Sequence, residues 1–198
     1  MQMKAAPRPS WQAGFTLVEM IIVVVIIGLL ATIVMPQINL ARIQTKATVQ
    51  SLGTTLLAVQ RQAIARQHNM LVLIDAAGKD LRVVDDSNND EQVSANERVQ
   101  FIPLGQNVVF GRPAAVPAQG FGGNAINFTN TETTTGLPAI VLYRNGSAKE
   151  YGGWYISTVK AMAGVPGHAN ETWSMDMERA TGRAEWMRWN GSTWLRGF

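Results

Sequence analysis

The most concentrated set of possible metal ligands in this sequence lies between Asp85 and Glu91. These seven positions hold four carboxylates and two amides, and oxygen atoms of both kinds are ligands that calcium takes. The sixth position of a calcium loop beginning at Asp86 would be Glu91, where such a loop needs glycine, and the flanking residues have strand character. The pattern therefore favours a solvated turn over a calcium site. The ligands of the calcium alternative would be Asp86, Asn88, Asp90 and, at the twelfth position, Glu97.

A second group of residues that could do chemistry lies near the carboxyl terminus, where arginines alternate with tryptophans. Arginine contacts phosphate and an indole ring stacks on a base, so the composition suits nucleic acid. Glu185 would repel phosphate, however, and in the alternative the tryptophans close the core of the last hairpin while the arginines are solvated. We favour that alternative and expect no nucleic-acid partner. The residues concerned are Arg179, Arg183, Arg188 and Arg196, with Trp186, Trp189 and Trp194.

Catalytic chemistry has little support in the sequence. The chain has no cysteine and two histidines, His68 and His168, and neither histidine has a second ligand at helical spacing or a serine motif beside it. The glycines at 120, 122 and 123 follow no predicted strand-to-helix junction, so they do not form a phosphate loop. We expect no enzyme activity, no metal and no cofactor.

An apolar run near the amino terminus dominates the sequence. The segment from Phe15 to Met35 has 21 residues, and a helix of that length spans about 31 Å, close to the hydrocarbon core of a bilayer. Pro36 and polar residues follow it instead of a small-residue cleavage site, so it is not a secretory signal peptide. Lys4 and Arg8 precede it and predict a cytoplasmic amino terminus. The pattern predicts a single membrane span with the rest of the chain on the side opposite the cytoplasm.

Glu19 lies inside this apolar run, where a carboxylate is costly and normally indicates a partner or a function. A partner becomes available if the chain is cut after Gly14, because Phe15 then carries a free α-amine. Glu19 is four residues further on and shares a helical face with Phe15. A carboxylate in the first turn also suits the positive end of the helix dipole.

The stretch from Gly14 to Val23, after a short basic leader and before the proline at Pro36, resembles the class III signal of type IV prepilins and pseudopilins. The resemblance implies cleavage after Gly14 by the prepilin peptidase and N-methylation of Phe15. It also implies that Glu19 seats a new subunit against the amine of its neighbour, and that the partners are other pilins and an inner-membrane assembly platform. The leader of fourteen residues is longer than many in that family.

The rest of the chain predicts a long helix followed by strands. From Gln37 to Asn69, apolar residues recur at spacings of three and four and form one helical face, which Leu57 and Ile64 widen. Asn145 and Gly146 are a strong hairpin signal. We therefore predict an α+β protein with segments 1–14 (leader), 15–36 (span), 37–69 (amphipathic helix) and 70–198 (antiparallel β head). The predicted strands are 70–75, 81–85, 99–104, 108–110, 126–128, 139–144, 149–157, 173–179, 183–189 and 193–195.

The end of the helix, the first hairpin and the terminal hairpin around Gly182 resemble the GspH/FimT group of minor pseudopilins and minor pilins. The resemblance implies a minor pseudopilin at or near the tip of a type II secretion pseudopilus. The alternative is a minor pilin of a type IV pilus. In the pilus branch, minor pilins that bind DNA carry Gly-Arg-x-Arg, whereas this chain has glutamate, Glu185, in place of the second arginine.

Overall fold

The computed structural model describes residues 15–34 and 40–197, and the chain divides into two units at the junction of Asn39 and Leu40. The first unit contributes one helix, α1 (Leu17–Val34). Thr16 precedes it and caps it, since the Thr16 hydroxyl oxygen accepts a hydrogen bond of 3.2 Å from the Glu19 backbone N–H. A threonine three residues before a glutamate is a typical helix start.

The second unit, the head, begins with a long helix and continues in antiparallel strands. Within the described residues its elements are α2 (Leu40–Arg66), β1 (Asn69–Asp75), β2 (Asp80–Asp86), β3 (Val99–Pro103), β4 (Val108–Phe110), β5 (Ala139–Leu142), β6 (Gly152–Thr158), α3 (Val159–Met162), β7 (Trp173–Met177), β8 (Ala184–Trp189) and β9 (Trp194–Arg196). The predicted α+β class, a long amino-terminal helix followed by antiparallel sheet, is confirmed.

Helix α2 packs its apolar stripe into the centre of the head. The stripe is buried together with side chains from both sheets, among them Ile74 of β1 and Trp154 of β6. Leu57 and Ile64 were expected to widen it, but they are 48% and 45% exposed. The reason is geometric, because on the helical wheel they lie about a third of a turn from the centre of the buried stripe. The buried stripe consists of Val49, Leu52, Leu56, Val59 and Ala63.

The strands form two sheets rather than one. The first has the order β3-β2-β1-β5 and the second the order β4-β6-β7-β8-β9, with all neighbours antiparallel. The two residues Leu71 and Leu73 of β1 face away from α2 and form a smaller apolar cluster with Val84 and Val141. This explains why β1 reads as a continuous apolar run, since both of its faces are buried.

One predicted strand is wrong, and one predicted hairpin is shorter than expected. Residues 126–128 form no strand, and Ile126 makes an isolated bridge to Trp154. The chain does turn at Asn145 and Gly146, as the Gly146 N–H donates to the Tyr143 carbonyl at 2.8 Å. The flanking strands β5 and β6 nevertheless belong to different sheets. After the turn the chain pairs back only briefly, as Leu142 forms an antiparallel bridge with Ala148 and the Lys149 N–H donates to the Val141 carbonyl at 2.9 Å. The hairpin is therefore short, and β6 begins beyond it in the second sheet.

Gln60 of α2 joins the helix to two turns of the head. Its side-chain amide donates to the Gly146 carbonyl at 2.9 Å and to the Thr181 carbonyl. Gly182, beside Thr181, has φ +60°, and a Cβ there would lie 2.3 Å from the Gly146 carbonyl oxygen. Only glycine allows this approach, so Gly182 and Gln60 together fix the terminal hairpin against α2.

Candidate functional site

The predicted processing and assembly segment begins at the first described residue. Phe15 is 77% exposed, and α1 starts two residues later. Glu19 lies in the first turn of α1, one turn beyond Phe15, as the sequence predicts. Every described side chain from Leu17 to Ala31 is exposed. An apolar helix of this kind leaves its entire surface available to a membrane or to other helices.

Part of that segment lies outside the described residues. Gly14, the rest of the leader and Pro36 belong to this part, as does Met35 at the end of the predicted span. In ranges 15–34 and 40–197, no helix combines the length and apolar character that crossing a membrane requires. Cleavage after Gly14, the role of Pro36 and the membrane span remain predictions.

The acidic loop is held mainly by its own backbone. Asp86 is fully buried, and its carboxylate accepts hydrogen bonds of 3.0 Å from the N–H groups of Asp90 and Glu91. Burial raises the pKa of Asp86, while these N–H groups oppose the rise. Glu91 is also engaged, with the Lys149 ammonium at 2.5 Å and the Tyr143 hydroxyl at 3.2 Å. These hydrogen bonds and this ion pair stabilise the turn.

Three of the four side chains considered for calcium come together. Carboxylate oxygens of Asp86, Asp90 and Glu97 lie within 4.8 Å of one another, whereas the Asn88 amide donates to Asp90 at 2.8 Å. Glu91 adopts φ +61°, so the sixth position has the left-handed conformation that a glycine would supply. Proximity of acidic groups alone does not establish a metal site, and the solvated turn remains our interpretation.

Each histidine has a carboxylate neighbour of its own. The His68 Nδ1 atom lies 3.4 Å from Asp85, which also binds Arg66. The His168 Nδ1 atom lies 2.9 Å from Glu171, a buried carboxylate that accepts the Thr158 hydroxyl at 2.6 Å. These contacts tie helix and strand ends together and combine neither histidine with a nucleophile.

The carboxyl-terminal tryptophans contribute mainly to packing. Trp186 is in the main core. Trp189 and Trp194 contact each other on the opposite side of the second sheet, with ring centres 5.6 Å apart, and Trp194 also contacts the buried Tyr155. The Trp194 indole N–H donates to the Pro117 carbonyl at 3.2 Å. Rings engaged in this way leave little face for a nucleic-acid base.

The arginines do not form one phosphate-binding row. Arg196 and Arg183 meet at Glu185, with nitrogen-to-oxygen distances of 3.3 and 4.0 Å. Arg188 is three residues from Glu185 on β8, and strand alternation directs it to the opposite face. Arg179 lies in the preceding turn and lines a different depression with Tyr143. Glu185 is thus the neighbour of two of the four cations.

Sequence reasoning missed two features of this surface. Residues 111–127 cover Tyr155, whose hydroxyl donates to the Gly122 carbonyl at 2.7 Å and accepts the Gln119 N–H at 2.6 Å. The residue opposite Glu185 on β7 is a second carboxylate, Asp176. The register of the last hairpin would have revealed this pair, whereas the long loop carries no periodic signal that predicts where it packs.

Three comparisons with known proteins bear on the chain. Residues 12–35 match the prokaryotic N-terminal methylation motif. The fimbrial protein EcpB of Eikenella corrodens is 37% identical over 98 residues, which are 48% of this chain and 53% of that protein. The chain thus matches about half the length of this curated relative. The minor pseudopilin EpsH from the type 2 secretion system of Vibrio cholerae aligns over 77% of this chain and 97% of its own, with 13% identity and a TM-score of 0.46.

The methylation motif of residues 12–35 thus overlaps the apolar helix α1, and an α+β head follows in the sequence. The chain is similar to pilin-like proteins in its methylation motif and in a partial match to a fimbrial protein.

Proposed function

We propose that this protein is a minor pseudopilin of a type II secretion system, a structural and non-enzymatic subunit at or near the tip of a periplasmic pseudopilus. The observation that carries the proposal is the amino-terminal segment. It combines the methylation motif at 12–35 with an exposed apolar helix whose one carboxylate, Glu19, follows Phe15 by one turn. This segment suits assembly among similar helices and has no evident use in a free enzyme.

In the proposed mechanism, the prepilin peptidase cuts after Gly14, and the new amino terminus of Phe15 is methylated. The segment from Phe15 to Met35 anchors the subunit in the inner membrane with the head in the periplasm. Glu19 then pairs with the amine of the neighbouring subunit, because a carboxylate in an apolar environment is stable only beside an opposite charge. The assembly platform adds subunits from below and pushes the head outward.

The second candidate function is that of a minor pilin in a type IV pilus, in pilus assembly or DNA uptake. The similarity to a fimbrial protein favours it. Two features of the head support secretion over DNA uptake. Glu185 lies beside Arg183 and Arg196, and the head from Leu40 onward holds fifteen basic and thirteen acidic side chains, too even a balance for a strong phosphate-binding field.

Deletion of the gene, followed by three measurements on the same strain, tests the proposal. We expect loss of proteins from the culture medium with normal surface pili and normal DNA uptake. Loss of pili or of DNA uptake with intact secretion would instead support the pilus function. Complementation with the wild-type gene must restore the phenotype.

Complementation with Glu19→Leu tests the assembly role. The change removes a charge from an apolar segment, so the protein should accumulate in the membrane at least as well as wild type while failing to co-purify with its partner pilins. Thr16→Ala is the matched control, since it removes the helix cap at Glu19 but keeps the carboxylate. If both variants fail equally, the role of Glu19 is helix capping and the proposed pairing is wrong.

A further inference from the structure

Helix α2 carries charges of one sign. Arg42, Lys46, Arg61 and Arg66 lie on it, and no acidic residue occurs anywhere between Glu19 and Asp75. In the head as a whole, basic and acidic side chains are nearly balanced. The excess of positive charge is therefore concentrated on the helix that directly follows the apolar segment.

The first two turns of α2 also expose large apolar side chains. Leu40 is 63% exposed and Ile43 59% exposed. Lys46 is exposed as well, and spacings of three place it on the same side of the helix as Leu40 and Ile43. The opposite side faces the head, where Thr45 and Val49 are fully buried. The start of α2 is thus amphipathic on its outer side, with apolar residues beside a cation.

We propose that this outer side, Leu40, Ile43 and Lys46, is a membrane-surface patch that binds anionic phospholipid. The inference rests on the proposed membrane anchor and adds a second contact to it. Leu40 and Ile43 enter the boundary between headgroups and acyl chains, while the Lys46 ammonium contacts lipid phosphates, as in interfacial helices. Each cation near an anionic surface strengthens binding about fivefold.

Chain continuity and charge favour a bilayer as the occupant of the patch. Leu40 follows the last residue of α1, Val34, by six positions in the sequence, so an anchored α1 keeps the start of α2 close to the lipid surface. A lipid surface also supplies phosphate for cations and hydrocarbon for Leu40 and Ile43 in the same place. A partner protein would need a face that is both acidic and apolar. The α2 helix of a second copy does not supply one, because its charged residues are all positive.

Vesicle sedimentation with the head, residues 40–198, gives the first test. The head can be prepared alone because its core residues all lie within this unit. It should sediment with vesicles of phosphatidylglycerol and phosphatidylethanolamine, should not sediment with phosphatidylcholine, and should dissociate as salt rises. Lys46→Glu should weaken binding at least fivefold, and Leu40→Ser with Ile43→Ser should weaken it severalfold.

Arg61→Glu is the matched control for Lys46→Glu. It makes the same change in net charge on an exposed side of the same helix, fifteen residues or about 22 Å further along. Equal losses in both variants would mean that net charge alone drives binding, and would overturn the patch. Unchanged vesicle binding in Lys46→Glu, with reduced co-purification of partner pilins, would assign the surface to a neighbouring subunit instead.

The full chain in nanodiscs gives the second test. Because the sequence has no cysteine, Ile43→Cys can carry an environment-sensitive dye as a unique label. Leu57→Cys is the control, since Leu57 is also exposed on α2 but lies fourteen residues, or about 21 Å, further along the helix from the anchor. Anionic nanodiscs should shift the emission of the label at 43 to the blue and leave the label at 57 unchanged. A water-like signal at both positions in a chain that stays in the nanodisc would overturn the patch while leaving the proposed anchor intact.

Discussion

Asp176 on β7 lies directly across from Glu185 on β8, so two carboxylates face each other on the outer side of the second sheet. Burial raises the pKa of Asp176, and the charges of Glu185 and Glu178 raise it further. Arg196 and Arg183 lie beside Glu185. Two like charges opposite each other destabilise a strand pair by about 0.2 to 1 kcal/mol. The ionised form of Asp176 therefore weakens this hairpin at neutral pH.

Asp176→Asn should stabilise the head at pH 7 by an amount in that range, about 0.2 to 1 kcal/mol. Because the pKa of Asp176 is raised in the folded state, the folded protein binds the proton more tightly, and wild-type stability at this site rises as pH falls. The advantage of the variant should therefore shrink in acid. Urea unfolding at pH 7 and pH 4 measures both effects. Glu178 raises the pKa of Asp176 less than Glu185 does, so Glu178→Gln should gain less stability than Asp176→Asn. An Asp176→Asn protein less stable than wild type at pH 7 would contradict the prediction.

The pairing of Asp176 with Glu185 shows what a sequence can determine in this fold. Once the turn at Gly182 is placed, antiparallel register follows by counting, and the structure pairs Met177 with Ala184 on either side of it. The buried stripe of α2 was also predictable, because its spacing of three and four has one structural meaning. Local patterns of this kind were sufficient for the fold class and for the terminal hairpin.

Predictions failed where the outcome depends on contacts between distant segments. The Asn145-Gly146 signal correctly predicts a turn. It does not predict that β6 pairs with β4 and β7 in the second sheet. Leu57 and Ile64 lie well round the helix from the centre of the buried stripe. How far the contact face of α2 extends depends on the sheets, which leave both residues exposed. The contact of Arg196 with Glu185 likewise could not be predicted without knowing where β9 lies beside β8.

Glu132 offers a prediction about stability and pH. It is 2% exposed, and it accepts hydrogen bonds from the N–H groups of Val93, Thr134 and Thr135 and from the Thr135 hydroxyl. Burial alone would raise the pKa of Glu132, but these four donors outweigh it and lower the pKa to about 2. A lowered pKa means that the carboxylate stabilises the fold above its unfolded value of 4.5 and that this contribution is lost as pH falls toward 2.

Glu132→Gln should cost about 3 to 4 kcal/mol at pH 7, because a shift of one pKa unit is worth about 1.4 kcal/mol and an amide cannot accept all four hydrogen bonds. The difference between variant and wild type should shrink as pH falls from 4.5 toward 2. Urea unfolding of the head across that range provides the measurement. Thr135→Val removes one of the four donors and should lower the stability less than Glu132→Gln does. Equal stability of Glu132→Gln and wild type at pH 7 would refute the role of the carboxylate.

Gly14→Val tests processing. The peptidase must accommodate a small residue before the scissile bond, so valine there should leave a longer, unmethylated precursor in the membrane. Mass spectrometry of the purified protein distinguishes the two forms, and the wild-type chain should begin with methylated Phe15. Gly28→Val, a change of the same size away from the cut, should be processed normally. A mature terminus other than Phe15, or an uncut wild-type chain, would refute the prepilin interpretation.

The last prediction separates secretion from DNA uptake. Phosphate binding releases counterions, so any functional binding of DNA by the head must weaken steeply with salt. We expect binding to be weak or absent, because Glu185 lies beside Arg183 and Arg196.

If the head does bind DNA, Arg183→Ala and Arg188→Ala should each lower the slope of log affinity against log salt by about one unit. Arg61→Ala, on α2, is the control and should leave the slope unchanged. Tight, salt-sensitive binding near physiological ionic strength that both carboxyl-terminal variants abolish would replace the secretion proposal with a DNA-uptake pilin.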